Sequence, residues 1–542
     1  MSAQSIAVLD DAELKDGQMK EVDFAGGKVL LSRLGDKVHA TSAFCTHYGA
    51  PLAKGVLTSD GRVVCPWHGA CFNVCTGDIE DAPALDAIHS FKTSIQNGKI
   101  HVVADPQLAT KENKSRPPKM STDGFAAASG SGKGVVIVGG GAGGINTVES
   151  LRENGYKGNI TIISTEKYAP IDRTKLSKAL IGDASKLEWR SPADLKIKFG
   201  TNIRIGTSVT KIDTASKTIH MQAGETVEYE TLVLAPGAVP RRLPVEGADL
   251  ENVFTLRHVP DAKNIDAAAK EGKKMVVIGS SFISMEIVAA CAKRKLASID
   301  VIGMEEYPFE AVLGKEVGKG IMQYHESQGV KFHMSSKVEK LLSSSSDSSA
   351  VGSVVIGDGG PTLEADFVIM GVGVAPATGF LKESGFTLER DGGVKVDEYL
   401  KVVGQEDVYA IGDIAVFPQT ETSVERRIEH WNVASNHGRA VGRNIAGKHE
   451  PFSKIPIFWS AQGQQLRYCG LGVGYDDIHI TGNPAELKFV AYYFKGGRVV
   501  AVASMQADPL VTKCSELMRL GLMPSPAEIK AGKNPLDIDA KV

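Results

Sequence analysis

The sequence has no uninterrupted apolar run of the ~18 residues that a membrane-crossing helix needs. It has little net charge: 61 Lys and Arg stand against 64 Asp and Glu, a formal balance of −3. Such a balance gives no electrostatic reason to expect nucleic acid or an anionic membrane as the main partner. Cysteine is scarce, with seven in 542 residues, too few for a disulfide scaffold. The opening MSAQSIAVLDDAELKDGQ lacks the basic-then-apolar order of a secretory signal and the Arg-rich, acid-poor character of a transit peptide. These shortages lead us to expect a reducing, cytoplasmic setting, with mitochondrial association and a homodimer left open. Glycine, by contrast, is plentiful at 58 residues and is clustered. Glycine clusters at strand-to-helix turns often mark phosphate-binding loops. At roughly 100–200 residues per domain, three or four domains are expected.

Residues 1–104 read as β: short alternating runs such as KVLLSRLG and KIHVVA are separated by Gly, Asp and Asn turns. Residues 105–133 are polar, then Pro-rich, then Gly/Ser-rich, and read as a flexible linker that lets one domain visit another. From residue 134 the texture becomes βαβ, first at KGVVIVGGGAGG and again at KKMVVIGSSFISMEIVAACAKR. SSSSDSSA, from Ser343, is a low-complexity loop tip. The last ninety or so residues look like a small α+β domain.

Two Cys/His stretches fall on loops of the β region. FCTHYGAPL carries Cys45 and His47, and VCPWHGACFN carries Cys65 and His68. Two thiolates and two imidazoles would also suit zinc, but zinc ligands usually pair Cys with Cys and His with His. Here each loop supplies one of each, as a Rieske [2Fe–2S] cluster requires, with one iron held by two Cys and the other by two His. Residues 1–104 therefore resemble a Rieske domain. High-potential members carry an extra Cys in each loop, where Ala50 and Trp67 stand here, and sulfur-directed hydroxyls where Ala70 and Phe72 stand. The resemblance thus implies a low-potential, ferredoxin-type cluster. Cys71 and Cys75 read as packing residues.

VVIVGGGAGG sets Gly139, Gly141 and Gly144, with Ala142 and Gly143 between them, in a G-x-G-x-x-G frame between a strand and a helix. That context suits a dinucleotide pyrophosphate at a helix N-terminus. Glu166, after the next strand, is the candidate ribose partner. In VVIGSSFISMEIV the first glycine is kept at Gly279, but Ser281 and Ser284 replace the second and third. A Cβ at Ser281 would crowd the pyrophosphate, and one at Ser284 would loosen helix–strand packing. In GMEEYPF, Glu305 and Glu306 stand where a second ribose partner belongs, and an acid there repels a 2′-phosphate, favouring NADH over NADPH.

Several later segments fit one family. VYAIGDIAVF, with Asp413, resembles its second FAD motif, while LVLAPGAVPRRLP and IMGVGVAPAT resemble the crossings between FAD and NAD domains. IDRTKLSK resembles its Arg-Pro-x-Leu-Ser-Lys stretch, with Arg173 and Lys178 near the flavin and Thr174 in place of the Pro. From residue 134 on, the chain resembles FAD/NAD reductases of the ferredoxin-reductase and apoptosis-inducing-factor type, and with the N-terminal domain it resembles their Rieske-containing group. The resemblance implies that Trp431 (IEHWNVASNHGRAVG) faces the flavin and that Trp459 (PIFWS) opens the C-terminal domain. It further implies that Val209 lies at the adenine end of FAD, Arg257 beside the cofactor, and Glu286 on the NAD-domain helix. Lys178 and Trp459 are the residues expected to act in catalysis.

The implied fold is multidomain: an all-β Rieske domain, then an α/β flavoprotein with two dinucleotide-binding domains and a small α+β domain. The boundaries read as FAD domain 134–254 and 379–450, NAD domain 255–378, and C-terminal domain 451–542. Its cofactors would be FAD, NADH and a [2Fe–2S] cluster. The implied function is NADH-dependent electron transfer through FAD and the cluster to an unidentified one-electron acceptor. No Cys-x4-Cys pair follows the first glycine helix, which argues against a disulfide reductase. The alternative is a redox sensor in which NADH changes assembly or cell-death signalling rather than driving turnover.

Overall fold

The structure, a computed structural model, describes residues 3–117, 133–420 and 424–541. The first stretch is dominated by β. A six-stranded antiparallel sheet runs in the order Gln4–Asp10, Lys99–Ala104, Ser90–Gln96, Lys37–Ser42, Gly27–Leu34, Met19–Phe24. Successive side chains of a strand point to opposite faces. In Gly27–Leu34, Val29 and Leu31 accordingly join one core with Phe24, Ile100 and Val102, while Leu30 joins a second core that holds Cys45 and Cys65. A smaller four-stranded sheet, Val56–Leu57, Arg62–Val64, Cys71–Asn73 and Ile79–Asp81, carries the second Cys/His loop.

The reading of residues 105–133 as a free linker needs correction at its start. Asp105 caps a 3-10 turn over Pro106–Ala109, and that turn lies against Gly27, where a Cβ would meet Ala109 O at 2.5 Å. Ser115–Arg116 pairs with Ala87–Ile88, and Arg116 forms an ion pair with Asp78 at 2.5 Å. Polar composition masked these anchors. The Pro/Gly/Ser-rich remainder, 118–132, lies outside the described residues.

Two parallel five-stranded sheets follow. The first is ordered Thr201–Arg204, Asn159–Ile163, Gly134–Val138, Thr231–Leu234, Val408–Ala410. Its middle strand, GVVIV, is buried throughout, as a parallel strand covered on both faces should be. It feeds α1 (Ala142–Glu153), and after the next strand comes the short α2 (Thr174–Ala179). The second sheet is ordered Val253–Phe254, Phe367–Met370, Lys274–Ile278, Ser298–Ile302, Val330–His333, and α3 (Phe282–Cys291) follows its middle strand. The two crossing segments pair with each other, Ala238–Pro240 antiparallel to Val374–Pro376. The serine-rich tip joins the hairpin strands Val338–Ser343 and Val351–Ile356.

α4 (Trp431–Ile445) returns across α1. The two helices approach closely because glycine faces the contact: a Cβ at Gly438 would lie 2.3 Å from Gly143 O, and one at Gly442 2.6 Å from Ser150 Cβ. The C-terminal part is a five-stranded antiparallel sheet beginning at Ile457–Gln462, with helix Leu510–Arg519 on one face. Leu466, Tyr468, Tyr493 and Met505 on its other face share a core with Val288 and Leu313 of the second nucleotide-binding unit. Among the described residues, no helix is long and apolar enough to cross a membrane.

Candidate redox site

The two Cys/His loops are built alike. Cys45 N donates to Ala50 O at 2.9 Å and Cys65 N to Ala70 O at 2.8 Å; Gly49 N and Gly69 N donate back to Cys45 O and Cys65 O. Each turn needs a left-handed residue, supplied by Gly49 (φ 76°) and Gly69 (φ 73°). The loops face one another. Cys45 and Cys65 are buried together, and the Nδ1 atoms of His47 and His68 meet at 3.2 Å. Burial brings His47 down to about 4 and His68 well below its ordinary value, which favours the neutral imidazoles that metal ligation requires. Among the described residues no three His, Cys, Asp or Glu side chains gather as around a single ion. A thiol pair beside an imidazole pair instead suits two irons. Cys71 is buried as read, but Cys75 is exposed, with Sγ 3.6 Å from His39 Nε2. That corrects its reading as a packing residue.

The His edge of this site is turned inward. His68 is 5% exposed, and its ring lies 4.3 Å from that of Trp459, with His47 5.8 Å from the same indole. Below them, α4 grips the β domain by one polar stripe. Asn432 Nδ2 donates to His68 O at 3.2 Å, Asn436 Oδ1 accepts from Ala82 N at 2.9 Å, and Arg439 Nη2 donates to Ile79 O at 2.8 Å. Two further links span the seam: Arg190 bridges Asp86 (2.7 Å) and Glu149 (2.8 Å), and Tyr48 Oη donates to Asp172. Burial pushes the Glu149 carboxyl up to about 8, with Arg190 opposing the shift. The β domain is thus seated on the reductase core rather than hanging from a tether.

The first glycine loop has the form of a cradle. Gly139 takes φ 118°, and a Cβ there would meet Ala235 O at 2.0 Å. One at Gly144 would meet Gly139 O at 2.2 Å, and one at Gly143 the Ile411 side chain at 2.9 Å. Ala142 begins α1, and Gly141 alone of the set looks onto open space, the side from which a pyrophosphate would approach the helix. Among the described residues, His430 Nδ1 and Trp431 Nε1, at the start of α4, are buried and meet no hydrogen-bond partner, as donors and acceptors awaiting a cofactor would be. Trp431 stands edge-on to Trp189 at 5.2 Å. Val209 opens the strand Val209–Asp213.

Four of the expected cofactor residues contact one another. Glu166 accepts from Arg173 Nη2 at 2.7 and 2.8 Å and from Tyr168 at 2.9 Å, and lies 2.8 Å from His258 Nδ1. Burial alone would raise its carboxyl, but His258, Arg173 and Tyr168 outweigh that and hold it at about 2. Arg173 also donates to Arg257 O, and Arg257 Nη2 pairs with Asp413 at 3.1 Å. Three of these contacts fall on Oε1, and among the described residues Oε2 accepts from Arg173 alone at 2.8 Å, so Oε2 keeps capacity for a ribose hydroxyl.

At the second loop, Gly279 (φ 100°) faces Gly371 O, and Ser281 is an exposed N-cap of α3. Ser284 does not loosen the packing as expected, because the residue opposite is Gly371, whose carbonyl lies 3.4 Å from Ser284 Oγ. A Cβ on Gly371 would lie 1.9 Å from that hydroxyl. We expect Gly371→Ala to displace the loop at about 1–3 kcal/mol and to raise the NADH concentration needed for half-maximal flavin reduction, with FAD content unchanged. Adding Ser284→Gly should restore it, as a titration of bleaching against NADH will show. Glu306 is tied to Lys315 at 2.5 Å, whereas Glu305 is exposed and, among the described residues, its carboxylate meets no partner.

Glu286 lies farther along α3, 5% exposed, at the meeting point of three domains. It pairs with Lys178 Nζ at 3.0 Å and accepts from Ser177, Ser460 Oγ (2.6 Å) and Ala461 N (3.3 Å). Ser460 follows Trp459, so Lys178, Glu286, Trp459 and His68 form one contiguous set.

Known proteins share this arrangement. A Rieske [2Fe-2S] domain model matches residues 4–92, a pyridine nucleotide-disulphide oxidoreductase model 133–438, and a reductase C-terminal model 457–537. Apoptosis-inducing factor 3 of Homo sapiens is 38% identical over 517 residues, 95% of this chain and 84% of that one. The chain is a Rieske-containing oxidoreductase of the apoptosis-inducing-factor type, within the pyridine nucleotide-disulphide oxidoreductase family. Rhodocoxin reductase of Rhodococcus erythropolis is 31% identical over 68% of this chain and 86% of its own length. The covalent putidaredoxin reductase–putidaredoxin complex superposes with a TM-score of 0.69 at 28% identity, covering 73% of this chain and 95% of that one. This oxidoreductase is an NAD(P)H-dependent enzyme of the ferredoxin-reductase kind, and its cofactors are FAD, NADH and a Rieske cluster. The seam residues Asn432, Asn436, Arg439, Arg190 and Tyr48 were not singled out from sequence. The spacing Asn432, Asn436, Arg439 (i, i+4, i+7) was the available signal, one polar face of a helix whose other face carries Gly438 and Gly442.

Proposed function

We propose that this oxidoreductase passes electrons from NADH through FAD to its own Rieske cluster and on to a one-electron acceptor. The observation that carries the reading is the inward His edge: His68 lies against Trp459 at 4.3 Å, and Trp459 adjoins the Ser460–Glu286–Lys178 chain. Bound FAD would supply the exchange between the electron pair of a hydride and the single electrons that a [2Fe–2S] cluster carries.

The chain's own residues do the rest. Cys45, Cys65, His47 and His68 would hold the cluster, and the Gly139–Gly144 loop would hold the FAD pyrophosphate. Glu286 holds Lys178 in place through the 3.0 Å ion pair, which suits a cation placed against negative charge at the flavin. Trp459, 8% exposed, fills the space beside the His68 ring between the two halves. Glu305, the acid without a protein partner, would favour the unphosphorylated ribose of NADH.

Rapid mixing of the full-length enzyme with NADH should show loss of flavin absorbance first and bleaching of the cluster bands after it. Trp459→Ala should slow the second phase far more than the first. If the cluster stays oxidised for as long as reduced flavin persists, the reading fails and a redox-sensing role, with NADH governing assembly, takes its place.

A further inference from the structure

Electrons that enter this Rieske domain must also leave it, and one of its two ligand histidines is closed to an outside acceptor. The indole of Trp459 lies against His68, which is 5% exposed and whose carbonyl is held by Asn432 of α4, whereas His47 is half-buried. A carrier protein cannot reach the His68 imidazole directly while the domain is seated.

One aromatic residue leads outward. The Tyr48 ring stacks on His47 with centroids 3.8 Å apart and planes 17° from parallel, and Tyr48 is 39% exposed. By contrast, Trp459 is 8% and His68 5% exposed. Tyr48 is fixed in that place, because its Oη donates to Asp172, a carboxylate only 1% exposed that also accepts from Thr174. The surroundings are cationic. Lys175 Nζ lies 5.1 Å above the Tyr48 ring, and Lys111 Nζ lies 5.4 Å above the ring of Phe44 on the same ligand loop. The Lys111 chain also passes Gly49, where a Cβ would stand 3.0 Å from its Cε. The Asp172 carboxylate is buried and Lys175 Nζ pairs with it at 3.6 Å, but the Lys175 side chain stays partly exposed, so among the described residues Lys111 and Lys175 bring ammonium groups to the exposed face of this loop.

We infer that the surface around Tyr48, rimmed by Lys111 and Lys175, is where an acidic one-electron carrier protein docks and receives its electron. The inference rests on the internal electron path proposed above. Trp459 and His68 then form the inner, entry side of the cluster, and His47 and Tyr48 the outer, exit side. One electron leaves the reduced cluster and reduces the carrier; no bond is made or broken and no proton moves. Ammonium groups at the rim of such a contact steer an acidic partner and make its binding salt-dependent.

The test uses full-length holoenzyme and the soluble haem domain of cytochrome b5, an acidic one-electron carrier, with cytochrome c, a basic one, as contrast. Surface plasmon resonance at low ionic strength should show binding of cytochrome b5 and not of cytochrome c. Lys111→Glu with Lys175→Glu should weaken binding about ten-fold or more, as expected when attractive rim charges become repulsive. Lys331→Glu, on the edge strand Val330–His333 of the NAD sheet, should leave it unchanged. After NADH reduction, reoxidation of the cluster by cytochrome b5 should lose most of its rate in Tyr48→Leu and keep it in Tyr48→Phe, with binding equal in both. No binding of cytochrome b5, binding indifferent to the two lysines, preference for cytochrome c, or equal reoxidation in Tyr48→Leu and Tyr48→Phe each overturns the inference. A cluster that NADH never reduces condemns the internal path instead, and the binding arm still decides the docking surface.

Discussion

His68→Ala should yield an enzyme that binds FAD and is bleached by NADH, yet contains no [2Fe–2S] cluster. The total loss follows from the ligand set. Two irons and four protein ligands leave none spare, and His47 Nδ1 faces nothing but His68 Nδ1 at 3.2 Å. Zinc would tolerate the change better, since a single ion held by three remaining ligands can take water as its fourth. The loss should be confined to the cluster. The loop is shaped by Gly69, by the Cys65–Ala70 backbone bond, and by Asn432 binding the carbonyl of residue 68, none of which needs the imidazole. Iron and acid-labile sulfide should fall to background, and the electron paramagnetic resonance signal of the reduced wild type, at the low average g of a Rieske centre, should vanish. Flavin content and the NADH-driven flavin phase should persist. Stoichiometric zinc without iron in anaerobically prepared wild type would refute the metal assignment.

The chemistry of this enzyme was legible in its sequence wherever function is local in the chain. A Cys-x-His loop or a strand–glycine–helix turn carries its own geometry, and Gly139 or Gly69 can be understood from a few neighbours. Pairwise relations between distant segments were not legible. Nothing in VVIGSSFISMEIV tells that Ser284 faces Gly371, so a substitution that looked harmful proves to be matched by a missing Cβ 87 residues away. Nor does anything near Glu166 tell that His258, 92 residues on, reaches its Oε1 beside Tyr168 and Arg173 of its own segment. The largest departure is the linker. Composition describes how a segment behaves in isolation, whereas the seating of the two halves depends on side chains at their surfaces. Arg439 was part of a quoted motif, yet its partners, the carbonyls of Ile79 and Glu80, are backbone atoms that no motif records.

Arg439→Met should unseat the Rieske domain. The guanidinium is 2% exposed and fully used: Nη2 donates to Ile79 O at 2.8 Å and Glu153 Oε2 at 2.6 Å, and Nε to Glu80 O at 3.3 Å. Methionine fills much of the volume but donates nothing. Two carbonyls and the Glu153 carboxylate lose their partner on the wall of a polar cavity of about 570 Å³ lined by Ile79, Glu80, Glu153 and Arg439. Breaking a fully buried pair costs about 3–5 kcal/mol, and water entering this cavity lowers the cost below that range. Part of that cost falls on the contact of α1 with α4, because Glu153 belongs to α1, but both carbonyls belong to the Rieske domain. If even half the cost acts on the seating equilibrium, the seating constant falls several-fold or more. Asn432, Asn436 and the Arg190–Asp86 pair remain, so the domain should exchange between seated and free rather than be lost. The rate of cluster bleaching after NADH should then fall in step with the seated fraction, by at most the factor lost in the seating constant, while the earlier flavin phase and the flavin content hold. Small-angle scattering should show a larger radius of gyration. Arg439→Lys should recover little, since one ammonium cannot span two carbonyls and a carboxylate as the planar fork does. An unaltered second phase in Arg439→Met, with an enlarged radius, would mean that the seated arrangement is not the one that transfers electrons. An unaltered radius with a slowed second phase would move the role of Arg439 from holding the domain to orienting it.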